Sequence, residues 1–303
     1  MIIPSAAIRG EARHDRGQRA GARGRLGSVL PVDNHVHSQW SFDTDGQGSM
    51  AATCERALEL GLPAVAFTEH VEWTDWLADD AIAAGPLTLD WWEKIRPLDV
   101  TGYLADIEQC RERYKPLRVL SGVEAGEPHL FGASIAGLLS TGPFDRVLGS
   151  LHALPHKDHL VGAEQLFYLL DDGEDEVMRR YFAELVRMIE GPGQFEVLAH
   201  LDYPRRYWPS GPAAYDEAVF EEEYRAVLRA LATSGRVLEM NTKSPLASVS
   251  LLRWWREEGG RAVSFGSDAH RPWLVGGRFD LAVDIVEAAG FRAGEDPLDF
   301  WLR

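Results

Sequence analysis

The chain has 303 residues, 45% of them apolar, and a formal net charge of −16. That length can bury a large core, either as one α/β barrel or as two smaller domains. The acidic balance argues against a nucleic-acid backbone as the main partner, because phosphate binding needs a basic face, although bound cations can reverse the local field for an anionic substrate.

The two cysteines, Cys54 and Cys110, are too few for a disulfide scaffold and lack the C-x-x-C spacing of a zinc site. No apolar run reaches the length of a membrane span, so a soluble, cytoplasmic protein is expected. Residues 1–29, rich in Arg, Gly and Ala, have no apolar periodicity and no secretory h-region. They read as a disordered tail or an upstream extension, with His14 idle, ahead of a single domain over residues 30–303.

From Leu30 onward, β-rich runs alternate with helical stretches. "VLPVDNHVH" opens the series, and Ser49 can cap a helix through Leu60 that Gly61 stops. "AVAFTEH" (64–70) follows, then a helix from Thr101 to Tyr114, and "RVLSGVEAG" (118–126) with a short helix over Ile135–Leu139. "RVLGSLHAL" (146–154) precedes a helix over Glu174–Glu190, and "FEVLAHLDY" (195–203) a helix from Asp216 to Thr233. "RVLEMNT" (236–242) leads to a helix over Leu246–Glu258, where Trp254 and Trp255 are expected to pack against the barrel; "RAVSFGSDAH" (261–270) leads to the last helix, from Phe279 to Ala289. Strand–helix alternation implies a parallel sheet, and seven units without a composition break favour one closed barrel.

The residues ending these runs carry the chemistry. They are His35 and His37, His70, Glu124, His152, His200, and Asp268 with His270; the sixth run ends instead on Asn241. In a parallel barrel the carboxyl ends of the strands converge on one face, so these side chains would meet in one cavity. His35 and His37, two apart on a strand, point to the same side. Imidazole and carboxylate without cysteine suit zinc, manganese or iron, and the number of donors exceeds what one ion can use. At least two divalent transition-metal ions are implied, with Glu124 as the natural bridge. Such a site can clamp a phosphoryl group while generating hydroxide at neutral pH.

The motifs "DNHVHSQWSFD", "FTEH", "GVEAG", "GSLHAL", "AHLDYPRR" and "GSDAH", in this order over about residues 30–290, resemble the PHP superfamily (polymerase and histidinol phosphatase domains). "GSLHAL", "AHLDYPRR" and "LEMNT" look most like its histidinol-phosphate phosphatase branch. The resemblance implies a distorted TIM-like (β/α)7 barrel that hydrolyses L-histidinol phosphate in histidine biosynthesis, with two or three ions at the C-terminal ends of the strands. The alternatives are a PHP phosphoesterase for another ester, such as a nucleotide or phosphotyrosine peptide, and a non-catalytic metal-binding module. Carried over by position, His35, His37, Glu124 and Asp268 would hold one ion, Glu124, His152 and His200 a second, and Asp43, His70 and His270 a third. Arg205, five residues after His200, would contact phosphate and act with Glu124 and Asp268 in catalysis. Lys157, which could bind the substrate phosphate or simply be exposed, and Asn241 are further candidate substrate contacts. After "EMNT", Lys243 and Ser244 before Pro245 depart from the small residue, glycine and basic residue usual in relatives.

Other residues weigh toward supporting roles. Glu69 should point away from the His70 side chain and orient a ligand indirectly. His129 reads as structural, and His156 and His159 as loop residues that could reach the leaving oxygen. The segment 71–97, with Trp73, Trp76, Trp91 and Trp92 among several acids, is expected to be a lid or a crossover insert. As a lid it would favour a cationic or imidazole-bearing substrate. The partner is thus a small-molecule phosphate ester, with no membrane; the sequence carries no signal for oligomeric state.

Overall fold

The computed structural model describes residues 30–73, 95–157, 159–169, 173–243 and 245–303. Seven parallel strands form one curled sheet in the order β1 (Asp33–Val36), β2 (Ala64–Val71), β3 (Arg118–Gly126), β4 (Arg146–Ser150), β7 (Val197–Leu198), β8 (Val237–Asn241) and β9 (Ala262–Gly266). Strand β10 (Trp301–Leu302) runs antiparallel on the start of β9. The far end of that same β9 edge meets β1, where Asp268 N donates to His35 O at 2.8 Å and His37 N to Ala269 O at 2.9 Å. These bonds close the sheet on itself, so the fold is an α/β barrel of distorted TIM-like form.

Helices return each strand to the next. α1 (Met50–Leu60) starts where the Ser49 side chain accepts from Ala52 N, and ends where Gly61 takes a left-handed φ of 75°. α2 (Val100–Arg113), α3 (Gly132–Leu139), α4 (Glu174–Glu190), α5 (Glu221–Ser234), α6 (Val249–Glu257) and α7 (Phe279–Ala288) follow. The strands are buried along nearly their whole length, as parallel strands covered by helices should be. Outside them, Phe182 of α4 packs on Tyr224 of α5 with ring centroids 4.6 Å apart. Trp255 of α6 is fully buried and donates from Nε1 to Ala262 O, as the packing expectation required. Among the described residues, no helix is long and apolar enough to cross a membrane.

Several expected elements differ in extent. The run 146–154 splits: β4 stops at Ser150, and Ala153–His156 (β5) pairs antiparallel with His159–Gly162 (β6) as a hairpin over the carboxyl face. The run 195–203 keeps only two ladder residues, because the chain turns at His200 (φ 22°) into a 3-10 helix over Tyr203–Tyr207. The helix expected from Asp216 begins instead at Glu221, because Asp216 caps a separate 3-10 turn that anchors buried Phe220. The helix expected from Leu246 begins at Val249, since the Ser248 hydroxyl accepts from Leu251 N and fixes its start. The tail 1–29 and most of the Trp- and acid-rich segment lie outside the described residues.

Candidate metal centre

The strand ends deliver their polar side chains to one point. Glu124, nearly at the end of β3, lies in the middle and is buried. Its Oε2 is 3.2 Å from His35 Nε2, 3.3 Å from His37 Nε2 and 3.1 Å from His70 Nδ1. Its Oε1 is 2.7 Å from His200 Nε2 and 3.2 Å from His152 Nε2, and accepts from Ser150 Oγ. One carboxylate therefore faces two sets of imidazoles, one with each oxygen. Beside the first set, Asp43 Oδ2 lies 2.7 Å from His270 Nε2 and 3.3 Å from His70 Nε2. Asp268, also buried, has Oδ1 3.4 Å from His270 Nδ1 and 3.9 Å from His37 Nε2.

This arrangement does not satisfy itself. The ring nitrogens of His35 and His37 face each other at 3.1 Å, and those of His152 and His200 at 3.3 Å. Glu124 Oε2, Asp43 Oδ1 and His70 Nδ1 are buried without a hydrogen-bond partner among the described residues, although His70 Nδ1 and Glu124 Oε2 are close. Converging lone pairs that are near one another yet not hydrogen-bonded are what a cation completes. Donor atoms within 4.8 Å of one another form four triads: His35, His37 and Glu124; Glu124, His152 and His200; His37, His70 and His270; and His70, Glu72 and His152. The donor set fits borderline divalent ions.

The electrostatics sort the imidazoles. Burial alone would lower His35, but the Glu124 and Glu239 carboxylates outweigh it and hold it well above the usual range. Burial, with His270 and His70 beside it, pushes His37 well below that range, toward the neutral form that ligates. Burial opposes ionisation of Glu124, yet its ring of imidazoles keeps it well below the ordinary carboxylate range.

A second layer of carboxylates aims the first. Glu239, in the middle of β8, accepts from His35 Nδ1 at 2.7 Å and from His200 N at 2.8 Å. Glu69 accepts from the Ser38 and Ser41 hydroxyls, and Ser41 Oγ lies 3.0 Å from His37 Nδ1, so Glu69 acts through serine. Glu72 holds His152 Nδ1 at 2.8 Å, and Glu127 accepts from the backbone N–H groups of His152 and Ala153. A Cβ at Gly126 would collide with the Glu72 carboxylate, so this close approach requires glycine. Outer carboxylates of this kind fix ring orientation and tautomer. Sequence reasoning gave no role to Glu239 or Glu127, and grouped Glu72 with the acids of the following segment. The available signal was a lone glutamate inside an apolar strand run.

Two expected substrate contacts sit elsewhere. Arg205 bonds Asp202 and Glu217 and stacks over Tyr215, so it is turned away from the cluster. In its place Arg206, the next residue of the 3-10 helix, reaches Asp268 Oδ2 at 2.8 Å and Asn241 Oδ1 at 3.0 Å. Successive 3-10 residues point about 120° apart, so only one of the pair can face the site. Lys157 is exposed at the hairpin tip, away from the cavity wall. Asn241 is where it was expected, and Lys243 joins it, with Nζ 2.9 Å from Asp268 Oδ1 and 3.3 Å from His270 Nδ1. His129 bonds Glu184 of α4, a structural link. The cluster opens into a cavity of about 270 Å³, walled on the metal-facing side by Asp43, His70, Glu72, His152 and His270, and beyond them by Phe42, Glu164, Tyr203, Tyr207 and Lys243.

The family model described as the PHP domain matches residues 33–243. The chain belongs to the PHP-domain family. Among its relatives, a Lactococcus lactis protein named histidinol-phosphatase is 27% identical over 271 residues, covering 86% of this chain and 92% of that one. A Deinococcus radiodurans protein named "probable histidinol-phosphatase" is 28% identical over 271 residues, covering 86% and 94%. The crystal structure of a histidinol phosphate phosphatase from Lactococcus lactis, complexed with zinc, L-histidinol and phosphate, superposes with a TM-score of 0.73 at 24% identity, covering 90% of this chain and 99% of that one. That superposition shows that the two chains share a fold.

Proposed function

We propose that this chain is a metal-dependent phosphomonoesterase that hydrolyses L-histidinol phosphate to L-histidinol and phosphate in histidine biosynthesis. One observation carries the reading: a single buried carboxylate, Glu124, turns one oxygen to His35, His37 and His70 and the other to His152 and His200, on the floor of an open cavity. The names of its relatives supply the substrate.

His35, His37, Glu124 and Asp268 would hold one ion, Glu124, His152 and His200 a second, and Asp43, His70 and His270 a third. Zinc, manganese and iron all suit the imidazole and carboxylate donors, and the Lactococcus lactis relative was crystallised with zinc. Bound divalent ions supply Lewis acidity and positive charge for the phosphoryl oxygens. The chain's own residues do the rest. Glu239, Glu69 and Glu72 keep the ring nitrogens aimed, directly or through Ser41, so that little reorganisation is left for the reaction. Arg206 and Lys243 add positive charge at the Asp268 edge, where charge-assisted contacts to an anionic ester are strongest.

The test is a panel of phosphomonoesters given to the fully metallated enzyme. Histidinol phosphate should be the best substrate. A nucleotide or phosphopeptide better by tenfold or more would remove the specific assignment and leave the phosphoesterase class. Metal binding without turnover of any ester would leave a non-catalytic module.

A further inference from the structure

The chain's two cysteines stand side by side in the fold. Cys54 lies on α1 and Cys110 on α2, both in the same core cluster, and their thiols are hydrogen-bonded to each other. The helices are tied at the same level, where Tyr114 Oη donates to Glu55 Oε1 at 3.2 Å, one residue beyond Cys54 and one turn beyond Cys110. A disulfide needs two sulfurs brought together by the backbone, and packed helices that already hold the thiols in contact meet that demand.

The surroundings make the pair unequal. Cys54 is completely buried, and its bond to Cys110, burial and the Glu55 carboxylate all raise its thiol above the ordinary range. Cys110 is 6% exposed and forms part of the wall of a cleft of about 140 Å³, with Gln39, Met50, Asp106 and Arg113. The hydrogen bond from Cys54, helped by Arg113, lowers the Cys110 thiol against burial and the Asp106 charge. The thiolate is the reactive form, so Cys110 is the attacking sulfur and Cys54, shielded behind it, the resolving one. The cleft has room for only a few molecules the size of water, which admits a hydroperoxide and excludes a bulky disulfide reagent.

This contact lies beneath the loop that follows His37. Gln39 Oε1 accepts from Met50 N at the start of α1 at 2.8 Å, and Gln39 Nε2 donates to Asp106 Oδ2 of α2 at 3.0 Å. Trp40 Nε1 donates to the same Asp106 oxygen at 3.0 Å, and Ser41 Oγ lies 3.0 Å from His37 Nδ1. Cys54 stands one helical turn after Met50, and Cys110 one turn after Asp106, so on each helix the thiol shares a face with the residue that grips the loop.

We infer that Cys110 and Cys54 form a peroxide-responsive dithiol whose disulfide locks α1 to α2 and stiffens the loop that orients His37. The Cys110 thiolate attacks one oxygen of a hydroperoxide, gives a sulfenic acid, and releases an alcohol or water once the leaving oxygen is protonated. The Cys54 thiol then displaces hydroxide from that sulfur, its proton completes a molecule of water, and the S–S bond forms. Two thiols are oxidised and one peroxide is reduced. A dithiol reductant reverses the link by exchange.

The zinc-loaded full-length protein, kept dilute, is treated with hydrogen peroxide, alkylated under denaturing conditions and mapped by peptide mass spectrometry. Cys54 and Cys110 should escape alkylation together, in one cross-linked peptide pair lighter by about 2 Da, and dithiothreitol should restore both. In Cys54→Ser, a Cys110 sulfenic acid should accumulate and be trapped by dimedone. In Cys110→Ser, Cys54 should react at least about tenfold more slowly than Cys110 does in the native protein. Hydrogen exchange at Ser38 and Ser41 should slow in the oxidised native protein. The native-protein map decides the pairing even if a variant does not fold. Separate oxidation of the two cysteines to sulfinic acids, a cross-link between chains, or a Cys110 no more reactive than in the denatured chain would overturn the dithiol. A disulfide that leaves exchange at Ser38 and Ser41 unchanged would overturn its coupling to the His37 loop.

Discussion

Glu239→Gln perturbs the centre without replacing any residue expected to bind an ion. Glu239 Oε1 accepts from His35 Nδ1 at 2.7 Å, while Oε2 accepts from His200 N at 2.8 Å and from Asn241 Nδ2 at 3.1 Å. A glutamine has one oxygen for these two positions. The backbone N–H of His200 cannot become an acceptor, so the oxygen stays there and the new NH2 faces His35. His35 can meet that donor only by deprotonating Nδ1, which moves its proton to Nε2, the nitrogen that faces Glu124. The lone pair leaves the centre although every heavy atom stays in place. Losing such an outer partner costs about 10- to 100-fold in metal affinity, or roughly 1.4–2.8 kcal/mol. The assay is zinc competition against a chelator of known affinity, with circular dichroism to check the fold and turnover at saturating zinc. Unchanged zinc affinity in a folded Glu239→Gln protein would refute the tautomer argument.

Arg206→Ala should lower turnover of every phosphate ester at least tenfold, whereas Arg205→Ala should act mainly on stability, because it leaves Asp202 and Glu217 without their shared cation; steady-state kinetics beside thermal melts will separate the two. Gly126→Ala should displace Glu72 from His152 and reduce activity while far-ultraviolet circular dichroism stays native, and full activity would mean that His152 does not need this partner. Elemental analysis of protein purified without chelator should find more than one transition-metal equivalent per chain, and Glu124→Gln should lose more metal than any single histidine substitution, because its two oxygens serve both imidazole sets.

Features that follow from strand periodicity were legible in the chain. His35 and His37 share a side because strand side chains alternate, and Glu124, His152 and His200 meet because parallel strands end on one face. Residues whose direction depends on a local turn were not. Arg205 and Arg206 are neighbours in a 3-10 helix, and nothing in the dipeptide says which faces Asp268. Glu164 was hidden because the run 146–154 reads as one strand, whereas the chain leaves the barrel after Ser150 to build the hairpin that precedes Glu164. Glu239 alternates correctly within β8, but a strand pattern does not reveal that the space beside it is occupied by His35.

The bonds from Asp268 N to His35 O and from His37 N to Ala269 O join the beginning of the domain to a strand more than two hundred residues later. Of these residues, His35, His37 and Asp268 turn their side chains to the metal centre. An ion held between them would act as a removable staple across the longest loop in the chain. In chain-entropy terms a permanent link over a loop of a hundred residues is worth about 4.7 kcal/mol. Chelation would withdraw part of that constraint, so the barrel should part first along this seam, and hydrogen exchange should rise at His37 and Asp268 before it rises in the long ladder between β2 and β3.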